Sequence, residues 1–469
     1  MRIAGSAAAA ARVCAAVLLA LATTIASALA ADRPHIVYLL ADDLGSHDPG
    51  FRGGSLRTPN LDRLAASGAV LNAFYVQPYS SQTRAALLTG RYPMRYGLQT
   101  LSITHANGYG LPTEERTLAQ ALKASGYRTA FVGEWLLGHT KAEYWPTRRG
   151  FDQFYGSLAG TGDSLLRKGT KSDWRRGERA VSEAGYVTQL LGAEAIRVIQ
   201  QHDSAAPLFL VVSFNAPSRY QDVAPAALAA YPELTDDTRR HYAAAVSALD
   251  ATMGEIVAAL DRRKMLGDTL LVFHSDNGGA IPMRFATGDG DVRNPAADNG
   301  LREGKGSLYE GGVRVPAILH WPGHIAAKSV VTDSLHVTDL HATLLRLAGG
   351  QPDANRPLDG IDAWPVIAER QRPARKDVLL NADDFAAAIR AGEWKLIVHA
   401  ALPAKIELYD IANDPQEAEN QAATYPDRVQ DLLGRLNTYA YDMAPSLYLD
   451  ALAPAASPAA WRANPPRRF

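Results

Sequence analysis

The sequence is nearly without cysteine. Its one thiol, Cys14, lies within the first 30 of 469 residues. With that stretch removed, the chain has no disulfide, no thiolate metal ligand and no cysteine nucleophile. Stability must then come from a packed core. A surplus of one charge is missing too. There are 48 basic and 49 acidic residues, and nucleic-acid binding needs a basic surface, so nucleic acid is excluded as a partner. No internal repeat is present. The composition, 47% hydrophobic and 21% charged, excludes a disordered chain and fits a globular one with a large core. At 469 residues, one large domain or two unequal ones are expected.

What is present begins with a leader. Arg2 and Arg12 form a positive region, Val13 to Ala30 is apolar and alanine-rich, and Ala28-Leu29-Ala30 is a small-x-small cleavage triplet. This predicts a secretory signal over residues 1–30 and a periplasmic or secreted protein. A membrane anchor is the rival reading, because the stretch is about long enough to span. Thr23, Thr24, Ser27 and the cleavage triplet favour removal, so no stable membrane anchor is expected. Losing Arg2 and Arg12 moves the net charge from −1 to −3.

Beyond the leader, short apolar runs alternate with amphipathic segments. His35 to Leu40, Thr129 to Val132, Leu208 to Phe214 and Leu270 to Phe273 read as buried strands. Thr58-Pro59-Asn60 starts a helix with proline in its first turn. Thr117-Leu118-Ala119-Gln120 reads as a capping box, and Gly126 ends that helix. Glu194 to Gln201 and Tyr242 to Arg262 read as helices. The rhythm predicts an α/β fold, a large mostly parallel sheet sandwiched by helices. It weakens near Gly350, where Pro352, Pro357 and Pro365 mark a looser connection. Ala387 to Arg390 and Trp394 to Ile397 then read as antiparallel strands, and Val429 to Leu436 as a helix. The expected domains are 31–350, a small α+β unit over 351–450, and an Ala/Pro-rich tail, extended or disordered, over 451–469.

Four segments carry chemistry, each where an open α/β sheet places its ligands. Asp42-Asp43 follows the first strand. Two adjacent carboxylates need a cation or solvent, and an exposed turn fits them equally. Ser275-Asp276-Asn277-Gly278-Gly279 follows another apolar strand, with oxygens for a hard cation or simply an Asx-Gly turn. Tyr79-Ser80-Ser81-Gln82-Thr83-Arg84 leads into a helix closed by Gly90. A hydroxyl just ahead of a helix faces the positive end of its dipole, and Arg84 can fork onto an oxyanion. Helix capping by Ser80 or Ser81 is the plainer alternative. Lys305, between Gly304 and Gly306, is placed to reach into a site or to lie solvated in a loop.

These segments, with Arg84 to Tyr92, Pro146 to Asp152, Tyr309 to Pro316, Glu407 to Asp410 and Asp414-Pro415, resemble the sulfatase family of the alkaline phosphatase superfamily. Arylsulfatase B-like members are most similar, and the likeness runs from about Arg33 to about Asn420. The resemblance implies an alkaline phosphatase-like fold and hydrolysis of a sulfuric ester by a formylglycine made from a Cys or Ser, with a calcium ion polarising the sulfate. It places Ser80 at the modified residue, facing the metal, and Asp42, Asp43, Asp276 and Asn277 as metal ligands. Arg84 falls at the signature arginine and Lys305 at the distal sulfate-binding lysine. A sulfated small molecule or glycan is the implied partner.

Three segments depart from the family pattern. The C/S-x-P-S-R signature reads Ser80-Ser81-Gln82-Thr83-Arg84. Gly-Lys-Trp-His-Leu-Gly reads Gly133-Glu134-Trp135-Leu136-Leu137-Gly138. Ala-Pro-His reads Ala216-Pro217-Ser218. A lysine and two histidines are therefore replaced by Glu134, Leu136 and Ser218, while His139 and His274 stand nearby as possible substitutes or as structural histidines. Losing one charge-stabilising donor costs roughly 3–4 kcal/mol of transition-state stabilisation. Three readings stay open: a sulfuric-ester hydrolase with Ser80 converted, a non-catalytic relative that binds metal and glycan, and a phosphoesterase using Ser80 or Thr83 as alkoxide.

Overall fold

The computed structural model describes residues 33–160, 165–166, 173–203, 205–280, 300–371 and 375–452. The leader, and the tail beyond Leu452, lie outside the described residues.

Ten strands form the main sheet. They are β1 (His35–Asp42), β2 (Ala69–Leu71), β3 (Arg128–Glu134), β4 (Gln153–Ser157), β5 (Trp174–Arg176), β6 (Arg179–Ala180), β7 (Leu208–Pro217), β8 (Thr269–Ser275), β9 (Ala317–His320) and β10 (Ser329–Val331). The order is β10-β2-β9-β8-β1-β7-β3-β4-β5-β6. The central run from β8 to β4 is parallel, and antiparallel pairs appear only towards the margins. β1 and β7 are buried along nearly their whole length, as strands covered on both faces must be.

Helices α1 (Pro59–Ser67), α2 (Ser80–Thr89), α3 (Leu118–Ala124), α4 (Val187–Gln201), α5 (Asp237–Arg262) and α6 (Val337–Leu347) cover the sheet. Ile36, Tyr38 and Leu40 pack with α2, α3 and α6. Val37, Leu39 and Ala41 point the other way, onto α1, α4 and α5, as the period-2 alternation of a strand requires. The capping box of α3 is present in both directions, Thr117 with Gln120, and Gly126 follows with φ +90°. Pro59 occupies the first turn of α1.

A second sheet is antiparallel, formed by β11 (Val378–Ala382), β12 (Ala386–Ala391), β13 (Trp394–His399) and β14 (Lys405–Asp410) in sequence order. Helix α7 (Pro426–Ala440) covers one face through Val429, Leu432 and Leu436. The other face rests on Tyr75, Leu308 and Val313 of the main body. The large mostly parallel sheet with flanking helices and a small antiparallel C-terminal sheet is the predicted fold class. One expectation is corrected at the C-terminus. Ala451 and Leu452 close a last helix, α8 (Leu447–Leu452), whose start is tied to the body by Leu447 N–H donating to Gly97 O (2.9 Å).

Candidate active site and metal centre

Register brings the acidic strand ends together. β1 and β8 are neighbours with Ala41 opposite Ser275, and Asp276 N–H donates to Ala41 O (3.0 Å). The next residues of both strands therefore emerge side by side. One oxygen each from Asp42, Asp43 and Asp276 lies within 4.8 Å of the others, and all three residues are buried. Asp43 holds φ +65°, a left-handed backbone uncommon outside glycine, and its N–H donates to Asp276 Oδ1 (3.1 Å). Asn277 donates from Nδ2 to Asp43 Oδ1 (2.7 Å).

Helix α2 delivers Ser80 to this cluster. Ser80 Oγ stands 3.3 Å from Asp42 Oδ1 and 3.1 Å from Asn277 Oδ1. One hydroxyl proton can serve only one of these acceptors at a time. Ser80 is the first residue of α2 rather than a residue ahead of it, and the residue ahead, Tyr79, makes no side-chain cap. The capping alternative for Ser80 and Ser81 is thereby corrected: Ser81 Oγ donates to Leu136 O (2.7 Å) and accepts from Ile103 N–H (2.8 Å).

Two cations share the cluster. Arg84, one turn after Ser80, is buried; it donates from Nη1 to Asp276 and to Ser80 O (3.3 Å), and from Nε to Ser213 Oγ (3.2 Å). Lys305 Nζ donates to Asp43 Oδ1 (2.5 Å) and Ser80 Oγ (3.3 Å). Three carboxylates thus face two cations, and a fourth acid, buried Glu134, adds its charge. Burial, then the charges of Asp276 and Asp43, push the Asp42 carboxyl well up, with Glu134 adding to the rise. Burial also works against ionised Asp276, but Arg84 and Lys305 outweigh it and hold the group at about 2. Burial disfavours the charged Lys305, yet Asp43, Asp42 and Asp276 raise its proton affinity. A buried excess of negative charge on oxygen donors is what a hard divalent cation compensates. The donor set, carboxylates with an amide and a hydroxyl oxygen, fits that class and no soft metal.

The replaced positions also take their places around the cluster. Ser218 Oγ donates to Asp43 Oδ2 (2.7 Å). Leu136 adopts φ +57°. Gln82 Nε2 donates to Gln99 O (2.5 Å). Thr83 Oγ1 accepts from Gln77 N–H (3.0 Å) and donates to Gln77 O (3.1 Å), which turns it away from the carboxylates and removes it as an alkoxide. Neither nearby histidine substitutes for a lost one. His274 Nδ1–H donates to Ser275 O (2.6 Å), so Nε2 accepts from the Tyr38 hydroxyl. Burial lowers its pKa to about 4. His139 lies edge-on to His105 at 5.8 Å and makes no hydrogen bond to the cluster. Sequence reasoning missed Ser213 and the direct bond from Ser218. The signal for Ser213 was one hydroxyl in the otherwise apolar run Leu208 to Phe214.

The chain is similar to known proteins over most of its length. The sulfatase family profile matches residues 34–350, and that of the N-sulphoglucosamine sulphohydrolase C-terminal region matches residues 304–440. The chain is 31% identical to mouse arylsulfatase J, covering 89% of this chain and 77% of the relative. It is 35% identical to mouse N-acetylgalactosamine-6-sulfatase, covering 77% and 71%. Among solved structures, that of Ps i-CgsB in complex with k-i-k-neocarrahexaose superposes with a TM-score of 0.80 at 30% identity, covering 88% of this chain and 94% of that one. The PsFucS1 sulfatase from Pseudoalteromonas sp. gives 0.72 at 26% identity, covering 89% and 92%. Matched across its main sheet and across most of its relatives' own length, this chain belongs to the sulfatase family.

Proposed function

We propose that the protein is an exported, calcium-dependent sulfuric-ester hydrolase acting on a sulfated glycan, with Ser80 as the reacting position. The observation that carries this reading is the meeting of Asp42, Asp43 and Asp276 within 4.8 Å, with Ser80 Oγ 3.1 Å from Asn277 Oδ1 and 3.3 Å from Lys305 Nζ. Oxygens around a six-coordinate calcium sit roughly 3.2–3.7 Å apart, those around magnesium roughly 2.8–3.0 Å. The 3.3 Å spacing of Ser80 from Asp42 falls in the calcium range, and the 3.1 Å spacing from Asn277 lies midway between the two. A glycan is favoured because relatives include an N-acetylgalactosamine-6-sulfatase and a structure holding a neocarrahexaose.

A bound calcium would supply charge to polarise a sulfate oxygen. The chain's own residues do the rest. The start of α2 puts the positive end of its dipole beside the reacting position. Lys305 donates towards the Ser80 oxygen and offsets charge developing beside it. Arg84 holds Asp276 ionised and in place. Conversion of Ser80 to formylglycine would place an aldehyde at this atom.

A second reading, binding without turnover, is favoured by one feature: Glu134 sets a carboxylate where the family keeps a lysine, and its charge reaches Asp42 and Arg84. Mass spectrometry of the tryptic peptide ending at Arg84, from protein made in an exporting bacterial host, separates the two. A peptide lighter by two hydrogens, with aryl-sulfate hydrolysis that stops on chelation and returns with calcium, is the expected result. An intact serine with no hydrolysis of aryl sulfate or aryl phosphate leaves the binding reading.

A further inference from the structure

A second cluster of buried charge lies where the C-terminal sheet meets the main body, and hydrolysis gives it no role. A cavity of about 560 Å³ opens there, with Asn72, Arg314, Ser334, Arg375, Lys376 and Arg390 among its walls. It is separate from the Ser80 site. Val378, the first residue of β11, lines the cavity, whereas Asp383, just past the other end of β11, acts electrostatically on Tyr79, the neighbour of Ser80. A five-residue strand puts roughly 13–17 Å between those ends.

The walls are rich in guanidinium groups, each partly held by the protein and each with an N–H group left over. Arg314 Nη1 and Arg390 Nη1 lie 3.5 and 3.9 Å from the same carboxylate, Glu310, which Lys395 also holds at 3.0 Å. Glu417 pairs with Lys395 at 2.8 Å. Arg52 stands behind this wall, bonded to the Asn72 side chain while Arg314 Nε holds the Asn72 carbonyl (2.9 Å). Arg375 is 6% exposed and paired with Asp339, with Tyr92 Oη (3.1 Å) and Asp359 O (3.0 Å) also accepting from it, but its Nε finds no acceptor. A buried donor left without a partner points to a missing acceptor. The Nη2 groups of Arg314 and Arg390 make no hydrogen bond among the described residues. Lys376 is exposed at the cavity and has no ion pair among those residues. Three lining carboxylates temper the positive field. Asp377 is held by Tyr439 (2.7 Å) and Arg435 (3.4 Å), which leaves Asp333 and Glu393.

We propose that this cavity is a second binding site, distinct from the Ser80 site, for a tetrahedral oxyanion: a sulfate group, free or carried on a glycan. Arg314 and Arg390 each offer an Nη2 group to such an anion, their Nε atoms being held by Asn72 O and Gly392 O and their Nη1 atoms turned to Glu310 and Tyr75, with Arg375 Nε and Lys376 completing the donors. Ser334 adds a hydroxyl among the lining residues. Sulfate carries no proton at neutral pH and accepts from every one of these donors. A glycan with several sulfates would thereby be held by one group while another is presented at Ser80 of the same or a second molecule.

The test is calorimetric titration of the full chain with inorganic sulfate and, separately, with a sulfated galactan oligosaccharide. Lys305→Gln removes the Ser80-site contribution, and Lys376→Gln and Arg314→Gln address the cavity. Lys376 is exposed, so its variant keeps the fold. The expected result is binding that survives Lys305→Gln and weakens about tenfold or more in Lys376→Gln, as losing a charge-assisted contact requires. Arg314→Gln should weaken it further. Binding of inorganic sulfate assigns a free-ion site; binding of the oligosaccharide alone assigns a glycan-borne sulfate. Binding of neither in Lys305→Gln, or binding untouched by Lys376→Gln and Arg314→Gln alike, overturns the proposal.

Discussion

Glu134 is the residue that most sets this site apart. Its carboxylate is buried and adds to the negative charge felt by Asp42, so it repels an incoming sulfate where a lysine would attract it. On the proposed reading, Leu136 and Ser218 stand where the family pattern has two histidines; Ser218 bonds to Asp43. Each such donor is worth roughly 10²–10³ in rate, although their effects need not multiply. The triple variant Glu134→Lys, Leu136→His, Ser218→His should therefore raise aryl-sulfate turnover by at least about 10² over the natural sequence, measured at saturating calcium. An unchanged rate would show that these three positions do not limit the chemistry. Sequence made Glu134, Leu136 and Ser218 visible only against a family pattern. It could not show that Ser218 still touches the cluster, because that contact depends on β1 and β7 being neighbours.

At the scale of the element, α2 is the unusual piece. All ten of its residues are buried, so it has no polar face for a periodicity argument to find. Its end was legible and its environment was not: Gly90 closes it with φ +69°, as the sequence indicated, but the partner helix α6 lies some 250 residues away. An added Cβ at Gly90 would meet His341 Cδ2 at 2.6 Å. Gly90→Ala should therefore destabilise the protein by roughly 1–3 kcal/mol, from the left-handed backbone and the clash together. The urea midpoint should fall with little change in slope. Strand runs such as His35 to Leu40 were readable because burial on both faces leaves an unbroken apolar string. The marginal strands β5, β6 and β10 were not, being three residues or fewer.

For the molecule as a whole, the joint between the two sheets contains a buried ionic cluster. Lys395 and Glu310 are both 0% exposed, and Glu417 completes the set from the C-terminal side. Burial, with the charge of Glu310, pushes the Glu417 carboxyl from its ordinary 4.5 up to about 7, against the pull of Lys395. A carboxyl that keeps its proton longer when folded favours the folded state fully below about pH 4.5, and that contribution fades as pH rises through about 7. Its ceiling is about 3 kcal/mol. Thermal unfolding of the natural protein and of Glu417→Gln should thus diverge from about pH 5 to about pH 8, with the variant gaining relative stability as pH rises. A constant difference over that range would refute this account. Glu407 to Asp410 and Asp414-Pro415 were legible as family letters, but nothing in the sequence announced that Glu310, Lys395 and Glu417 would meet in a buried triad.

The complete burial of α2 has a consequence for timing. Any enzyme that edits Ser80 must meet the chain while it is still open, because in the finished molecule this residue is only 4% exposed and its backbone is part of a buried helix. Editing and folding are therefore competitors. A preparation unfolded and refolded in the test tube will carry whatever chemistry Ser80 had acquired at birth and can acquire none afterwards.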